Sequence, residues 1–224
     1  MMQAQLKMPL ADTLDDVTGS VLRCFAQCNH VTMPYDHWLL SDVLPLSVVQ
    51  DINDLPFAPP EAAIFSGRRE TNNASRIYFT QENQRQYPVC ALVADAFNSS
   101  VVKAELSKLT GADLSAGHLR IEYCQDEDGF WLEPHLDIGV KFFTMLVYLS
   151  DDPTLRDAGT DIYDDTPEHN LVTSVPYEPN RGLIFIPSNK TWHGFTKRPI
   201  RGLRRSLIIN YVSDAWRDKW ELAY

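Results

Sequence analysis

The sequence predicts a mainly β protein whose strand-rich core follows a set of helices. Two observations carry this prediction. The second half of the chain contains four apolar, β-prone runs separated by turn residues, at 118–123, 142–149, 182–187 and 204–212. The first half contains helical patterns, at 13–25, 46–54, 88–98 and 100–109. A chain of 224 residues suits one domain.

Residues that start and stop helices support the individual elements. Thr13 is a suitable N-cap for the first amphipathic helix, and Gly111 ends the last helix before the strands begin. Trp216 and Trp220 lie four residues apart near the C-terminus. They predict a closing helix over residues 214–224 whose aromatic face packs on the core.

One short motif in the second half has metal-ligand spacing. In an extended segment His135 and Asp137 share one face, with their polar atoms about 5–7 Å apart. His193 supplies a third ligand if its strand folds back beside the first. Two His and one carboxylate on one side of a metal are typical of non-heme Fe(II) oxygenases. The spacing alone is weak evidence, since a single His in such a motif is about as often an ordinary surface or core residue as a metal ligand.

Around this motif the sequence resembles the 2-oxoglutarate- and Fe(II)-dependent dioxygenases, in particular their prolyl 4-hydroxylase-like branch. The resemblance covers about residues 115–213. It is carried by short segments in the family's order, namely LRIEY, PHLD, FFTMLVYLS, AGTDIY, GLIFIPSNKTWHGF and RRSLIINY. It implies a double-stranded β-helix core, a jelly-roll or cupin-like fold, with Fe(II) in its open mouth.

The resemblance also implies residue roles and cofactors. His135, Asp137 and His193 match the iron ligands, and no catalytic residue is expected beyond them. The cofactors would be Fe(II), the cosubstrate 2-oxoglutarate and O2, with ascorbate as an aid in vitro. The reaction would hydroxylate an unactivated C–H bond and release succinate and CO2. The carboxylate at Asp137 argues against halogenation, whereas desaturation and ring formation stay open.

Cosubstrate-binding residues follow from the same resemblance. The family places an Arg-x-Ser on the strand after the second His, which Arg204 and Ser206 match, although Arg205 competes for the role. Arg suits a carboxylate because its planar fork binds bidentately and stays charged when buried. Tyr148 matches a Tyr that bonds the same carboxylate, and Tyr123 matches a strand position that faces the cosubstrate.

The resulting domain prediction is a single oxygenase domain over 1–224. In it, residues 1–114 form mostly helical support and a lid, 115–213 form the double-stranded β-helix, and 214–224 form the C-terminal helix. The sequence does not indicate an oligomeric state.

Composition narrows the location and the partners. No apolar run reaches the ~20 residues that span a bilayer, and the N-terminus lacks the layout of a signal peptide. The four scattered Cys form no C-x-x-C motif and suit a reducing compartment. We therefore expect a cytoplasmic protein without a membrane partner. The net charge of −10 disfavours nucleic acid as a substrate.

Charged side chains also bear on the substrate. Acidic residues, Asp126 among them, crowd the loops around the metal motif. Most of them are expected to be solvated loop charges, and a role for a few in binding a cationic substrate is the minor alternative. Residues 66–76 carry Arg68, Arg69 and Arg76 and have no large apolar anchor. The simpler interpretation is that this segment is a solvated loop without a function. The alternative interpretation is that the segment is a lid, which presents arginines to an anionic group on a small-molecule or amino-acid-type substrate.

Two other classes of function stay open. A cupin-like isomerase, or an oxygenase that does not use 2-oxoglutarate, could hold a similar triad. A binding protein could keep the fold and lose turnover. The Arg-x-Ser strand argues against the first class, and the intact triad argues against the second.

Overall fold

The computed structural model describes residues 10–59, 66–68 and 76–224. Eleven strands and five α-helices lie in these residues. The strands form two antiparallel sheets, a seven-stranded sheet in the order β1-β2-β9-β6-β11-β4-β3 and a four-stranded sheet in the order β5-β10-β7-β8. This is the predicted fold class, a mainly β double-stranded β-helix with flanking helices.

The helices precede most of the strands. Their bounds are α1 Leu14–Gln27, α2 Leu46–Asn53, α3 Gln81–Gln86, α4 Pro88–Asn98 and α5 Ser100–Thr110. The strands are β1 Asn29–Val31, β2 His37–Leu40, β3 Ile77–Tyr78, β4 His118–Asp126, β5 Leu132–His135, β6 Lys141–Tyr148, β7 Asp161–Tyr163, β8 Leu171–Ser174, β9 Gly182–Phe185, β10 His193–Phe195 and β11 Arg204–Val212.

Local sequence explains where the helices begin and end. Thr13 and Asp16 form a capping box at the start of α1, each side chain bonding the other residue's backbone N–H. Ser99 caps α5 by accepting from Val102 N. Gly111 ends α5 with a φ of +77°, a left-handed conformation that glycine adopts without steric cost.

The central strands β4, β6 and β11 of the large sheet are buried on both faces, because successive side chains point to opposite sides and both sides are covered. The outer face packs against the helices. On β11 it includes Leu207, Ile209 and Tyr211, all fully buried. The inner face looks towards the small sheet, and Tyr148 and Phe185 share an apolar cluster with Ile162 of β7. The candidate site lies between the two sheets.

One part of the predicted division of the chain, the C-terminal helix, is wrong. Residues 214–224 form a 3-10 turn, Lys219–Glu221, in place of the predicted helix. Glu221 is buried against Arg120, and the ring of Trp220 meets Tyr78 edge-on, so tertiary contacts hold this segment. The first 114 residues also contribute β1, β2 and β3 to the large sheet. In the described part of the chain, no helix is both long and apolar enough to cross a bilayer.

Candidate active site

Two imidazoles face each other at one end of the space between the sheets. His135 ends β5 and His193 begins β10, and the antiparallel register places them directly opposite each other. Their ring centroids are 4.3 Å apart. Gly194 permits this close pairing, because a Cβ there would lie 2.9 Å from the carbonyl oxygens of Leu132 and Glu133. The pairing that the sequence predicted for these two residues is therefore present.

Each imidazole is oriented by a backbone carbonyl. His135 Nδ1 lies 2.8 Å from the carbonyl oxygen of Glu133, and His193 Nδ1 lies 2.9 Å from that of Thr191. A neutral ring that donates from Nδ1 presents the lone pair of Nε2, as metal-binding histidines do. Burial, reinforced by the neighbouring His135, lowers the pKa of His193 to about 3, so its ring is neutral at pH 7.

The carboxylate of Asp137 is held by two protein groups. Lys141 Nζ lies 2.5 Å from Oδ1, and Thr144 Oγ1 donates to Oδ2 at 2.6 Å. The Lys141 and Asp137 side chains are 2% and 1% exposed, so this is a buried ion pair. Nothing in the local sequence predicted a lysine partner for Asp137.

The three predicted iron ligands lie near one another, since His135 and Asp137 both act electrostatically on His193, but they do not form a ready metal site. Within residues 10–59, 66–68 and 76–224, no three His, Cys, Asp or Glu side chains form a group that could hold a metal ion. The imidazole pair has the chemistry of a divalent-metal site, since neutral nitrogen donors suit Fe(II) and its neighbours. Asp137 would have to share its carboxylate with Lys141, or release Lys141, to complete the set. The three-residue metal site stays a prediction.

A cavity of about 40 Å³ extends from the imidazoles to the inner face of β4 and β11. Arg204 lies at its far end, 5% exposed, and Arg205 points to the opposite face. Arg204 donates from Nε to Ala158 O at 2.6 Å and from Nη1 to Asp126 Oδ2 at 2.5 Å. Its guanidinium also lies 4.9 Å from the centroid of the Phe195 ring. Of the two adjacent arginines, Arg204 is thus the one that faces the cavity.

Two further predicted cosubstrate residues lie on the same inner face. Ser206 is 1% exposed and lines the cavity, and its buried Oγ has no hydrogen-bond partner among the described residues. Tyr148 lies opposite Ser206 in the register, fully buried, with its hydroxyl 2.9 Å from Thr160 Oγ1. Burial raises the pKa of Tyr148, so its hydroxyl stays a neutral donor. A buried hydroxyl without a protein partner is available to bond a ligand or a water molecule.

The expectation for Tyr123 is wrong. Its side chain lies in the core beneath the helices, where its ring meets that of Phe57. In the β4–β11 register Tyr123 pairs with Leu207, whereas Cys124 pairs with Ser206. Strand alternation therefore puts Cys124 on the cavity side and Tyr123 on the helix side.

The three predicted substrate-binding arginines have different positions. Arg68 lines an open groove that begins at His135 and also includes Asp137, Lys141 and Trp216. Arg69 lies outside the described residues. The prediction that Arg76 belongs to a lid is wrong, because its side chain is 6% exposed and lines the cavity. In the sequence Arg76 follows a polar stretch with other arginines, so its neighbours do not indicate that it is buried.

A buried ion-pair network accounts for Arg76. Its Nη1 donates to Asp126 Oδ1 at 2.6 Å, and its Nε lies 3.5 Å from Glu122 Oε1. Arg120 binds Glu122 and Glu221 in turn. Asp126 was expected to be a solvated loop charge, yet it is 2% exposed. The period-two spacing of Arg120, Glu122 and Asp126 along one strand was the available signal for a polar inner face.

Solved structures of prolyl hydroxylases share this architecture. A prolyl-4-hydroxylase from Pseudomonas putida matches with a TM-score of 0.55 and 13% identity, covering 89% of this chain and 100% of that one. One of the prolyl 4-hydroxylases from Phytophthora capsici matches with a TM-score of 0.57 and 12% identity, covering 96% and 70%. The fold that the resemblance implied is confirmed.

A third structure holds a ligand. It is a prolyl hydroxylase from Trichoplax adhaerens in complex with a peptide fragment of the oxygen degradation domain of hypoxia inducible factor. It matches with a TM-score of 0.51 and 12% identity, covering 90% of this chain and 91% of that one. No protein-family model and no curated protein matches the sequence. The likeness is therefore one of fold.

Proposed function

We propose that the protein is a 2-oxoglutarate- and Fe(II)-dependent oxygenase that hydroxylates an unactivated C–H bond. The substrate is a small molecule or an amino-acid side chain, free or within a peptide. The reaction releases succinate and CO2. The observation that carries the proposal is the pair His135 and His193, whose Nδ1 atoms are both engaged by carbonyl oxygens beside a cavity that contains an inward arginine.

The side chains have distinct tasks in this proposal. His135, His193 and Asp137 would hold the iron, which supplies the oxidising chemistry that protein side chains lack. Arg204 binds the distal carboxylate of 2-oxoglutarate, and Ser206 offers its unsatisfied hydroxyl to the same ligand. Phe130, Leu146 and Ile208 line the cavity and exclude water from it.

His135 lies between two spaces that suit a cosubstrate and a substrate, the inner cavity and the open groove. His135 lines both the inner cavity and the open groove, so a cosubstrate in the first and a substrate in the second would meet at this residue. The groove measures about 1010 Å³, enough for a metabolite or a short peptide segment. The peptide-bound neighbour structure supports keeping a peptide among the substrate classes.

The test is metal binding followed by succinate formation. Mn(II) should bind with one ion per chain, and Fe(II) with 2-oxoglutarate should yield succinate, faster with the right substrate. His193→Ala should abolish both. His30→Ala is the matched control, because this exposed His stacks on Trp38 and faces Asp36. Metal binding that survives in His193→Ala would refute the assignment.

One observation favours a second candidate, a binding protein that kept the fold without turnover. Asp137 is occupied by Lys141, and Arg204 is occupied by Asp126. Both groups that the reaction needs thus have protein partners. A protein that binds neither Mn(II) nor 2-oxoglutarate, yet binds a ligand in the groove, would establish this candidate.

A further inference from the structure

The deep end of the cavity already contains a carboxylate. Asp126 bridges two guanidinium groups, with Oδ2 2.5 Å from Arg204 Nη1 and Oδ1 2.6 Å from Arg76 Nη1. The Arg204 and Arg76 side chains are each 6% exposed, and that of Asp126 is 2% exposed. Charge-assisted bonds of this kind are the strong ones, and the buried setting protects them from screening.

Asp126 holds one edge of the Arg204 guanidinium while this bridge is closed. Arg204 donates from Nε to Ala158 O and from Nη1 to Asp126 Oδ2. A ligand carboxylate that binds Nη1 therefore has to displace Asp126. Asp126, Arg76 and Phe130 all line the cavity, and movement of Asp126 both widens it and uncovers Arg204.

A displaced Asp126 would have a second cation to bind. Its Oδ1 can stay on Arg76 when its Oδ2 leaves Arg204, because the two bonds use different oxygens. Without Arg76, the displaced carboxylate would be a buried charge without a counter-ion, which is costly. Arg76 in turn is steadied by Glu122 and by the Phe130 ring, 5.4 Å from its guanidinium.

We propose that Asp126 occupies the carboxylate position on Arg204 in the cosubstrate-free protein, and that the distal carboxylate of 2-oxoglutarate takes its place. Asp126 is then retained by Arg76 alone. In this role Asp126 sets a threshold for the cosubstrate, since a ligand must bring its own carboxylate to replace the one it removes. Asp126 and Arg76 are positioning residues, and the inference rests on the proposed use of 2-oxoglutarate.

The experiment measures ligand affinity in the presence of Mn(II), by calorimetry and by the ligand-induced rise in Tm. Asp126→Asn removes the competing charge, so 2-oxoglutarate should bind about tenfold more tightly or better. Pyruvate, which lacks the distal carboxylate, should bind equally to both proteins. Asp151→Asn makes the same charge change at an exposed loop position and should leave both affinities unchanged.

Arg76→Gln tests the other half of the proposal and decides the matter if Asp126→Asn does not fold. It should weaken 2-oxoglutarate binding severalfold, which is opposite to the effect expected for Asp126→Asn. It should leave the affinity for pyruvate unchanged. If the wild-type protein binds 2-oxoglutarate and the position 126 variant binds it no more tightly, the exchange is wrong and the proposed function stands. If no variant and no wild-type sample binds 2-oxoglutarate, the proposed function itself fails.

Discussion

On β11, Leu207, Ile209 and Tyr211 point into the apolar core beneath the helices, whereas Arg204 and Ser206 point into the space between the sheets. The outer face is stabilised by packing of side chains that have no charge. The inner face is stabilised by charges and hydrogen bonds that must each be paired. A paired charge can exchange its partner for a ligand, and a packed methyl group cannot. We therefore expect function to depend on the inner face and stability on both.

The largest expected effect comes from breaking a buried ion pair. Lys141→Met leaves Asp137 buried beside two imidazoles, which should lower the free energy of unfolding of the metal-free protein by about 3–5 kcal/mol. Mn(II) should recover part of this loss, because a cation again faces the carboxylate. Urea unfolding with and without Mn(II) measures both effects.

Lys108→Met is the control for this variant. Lys108 pairs with Glu105 on the surface of α5, where its side chain is 76% exposed, and such pairs contribute little. If the Lys141→Met protein gains no more stability from Mn(II) than the wild type does, Asp137 does not take part in binding the metal.

The second prediction compares neighbouring residues on opposite faces. Ile209→Ala deletes a fully buried side chain from the outer core and should cost about 2–5 kcal/mol of unfolding free energy. Ile208→Ala opens the inner cavity, where Ile208 is half-buried, and should cost less. Affinity for 2-oxoglutarate should change only in the second variant. A change in affinity caused by Ile209→Ala would break the division between the faces.

The strands of the large sheet could be predicted from the sequence because long β-prone runs at 142–149 and 204–212 leave few alternatives. The facing of the residues on β4 was predicted less well. Leu119, Ile121 and Tyr123 alternate along β4 with Arg120 and Glu122, and this pattern indicates that Tyr123 lies on the apolar face. The resemblance assigned Tyr123 to the cavity against this pattern, and the acidic run at 126–128 concealed the burial of Asp126.

The candidate site shows the same limit. The opposition of His135 and His193 followed from the order of strands that the resemblance supplied. The pairings of Asp137 with Lys141 and of Arg204 with Asp126 depend on side-chain contacts across strands, which the local sequence does not encode. The 3-10 turn at Lys219–Glu221 depends on the long-range bond between Arg120 and Glu221 in the same way.

The third prediction uses the two adjacent arginines. Arg204→Lys keeps the charge but loses the planar fork, so the KM for 2-oxoglutarate should rise on the order of tenfold with Mn(II) affinity unchanged. Arg205→Lys alters the outer face and should leave the KM unchanged. Steady-state succinate formation measures the KM. A larger effect from Arg205→Lys would show that the inward arginine has been misassigned.

The smallest expected effect concerns two buried tyrosines. Tyr148→Phe removes the hydroxyl that bonds Thr160 near Arg204 and should weaken 2-oxoglutarate binding severalfold. Tyr123→Phe removes a hydroxyl from the helix side and should leave that affinity unchanged. Calorimetry on both variants sharpens the comparison. Equal losses of affinity would mean that the two faces are coupled.

The contact between Gly67 and Trp131 should make occupation of the groove visible in tryptophan fluorescence. Gly67 has a φ of +75° and lies so close to the indole that an added methyl group would be 2.4 Å from the ring. Its carbonyl accepts from Glu133 N, which ties residues 66–68 to the strand that ends in His135. Indole emission responds to the polarity around the ring. In a variant whose sole tryptophan is Trp131, the emission colour should therefore shift when a molecule in the groove moves Gly67, before any chemistry occurs.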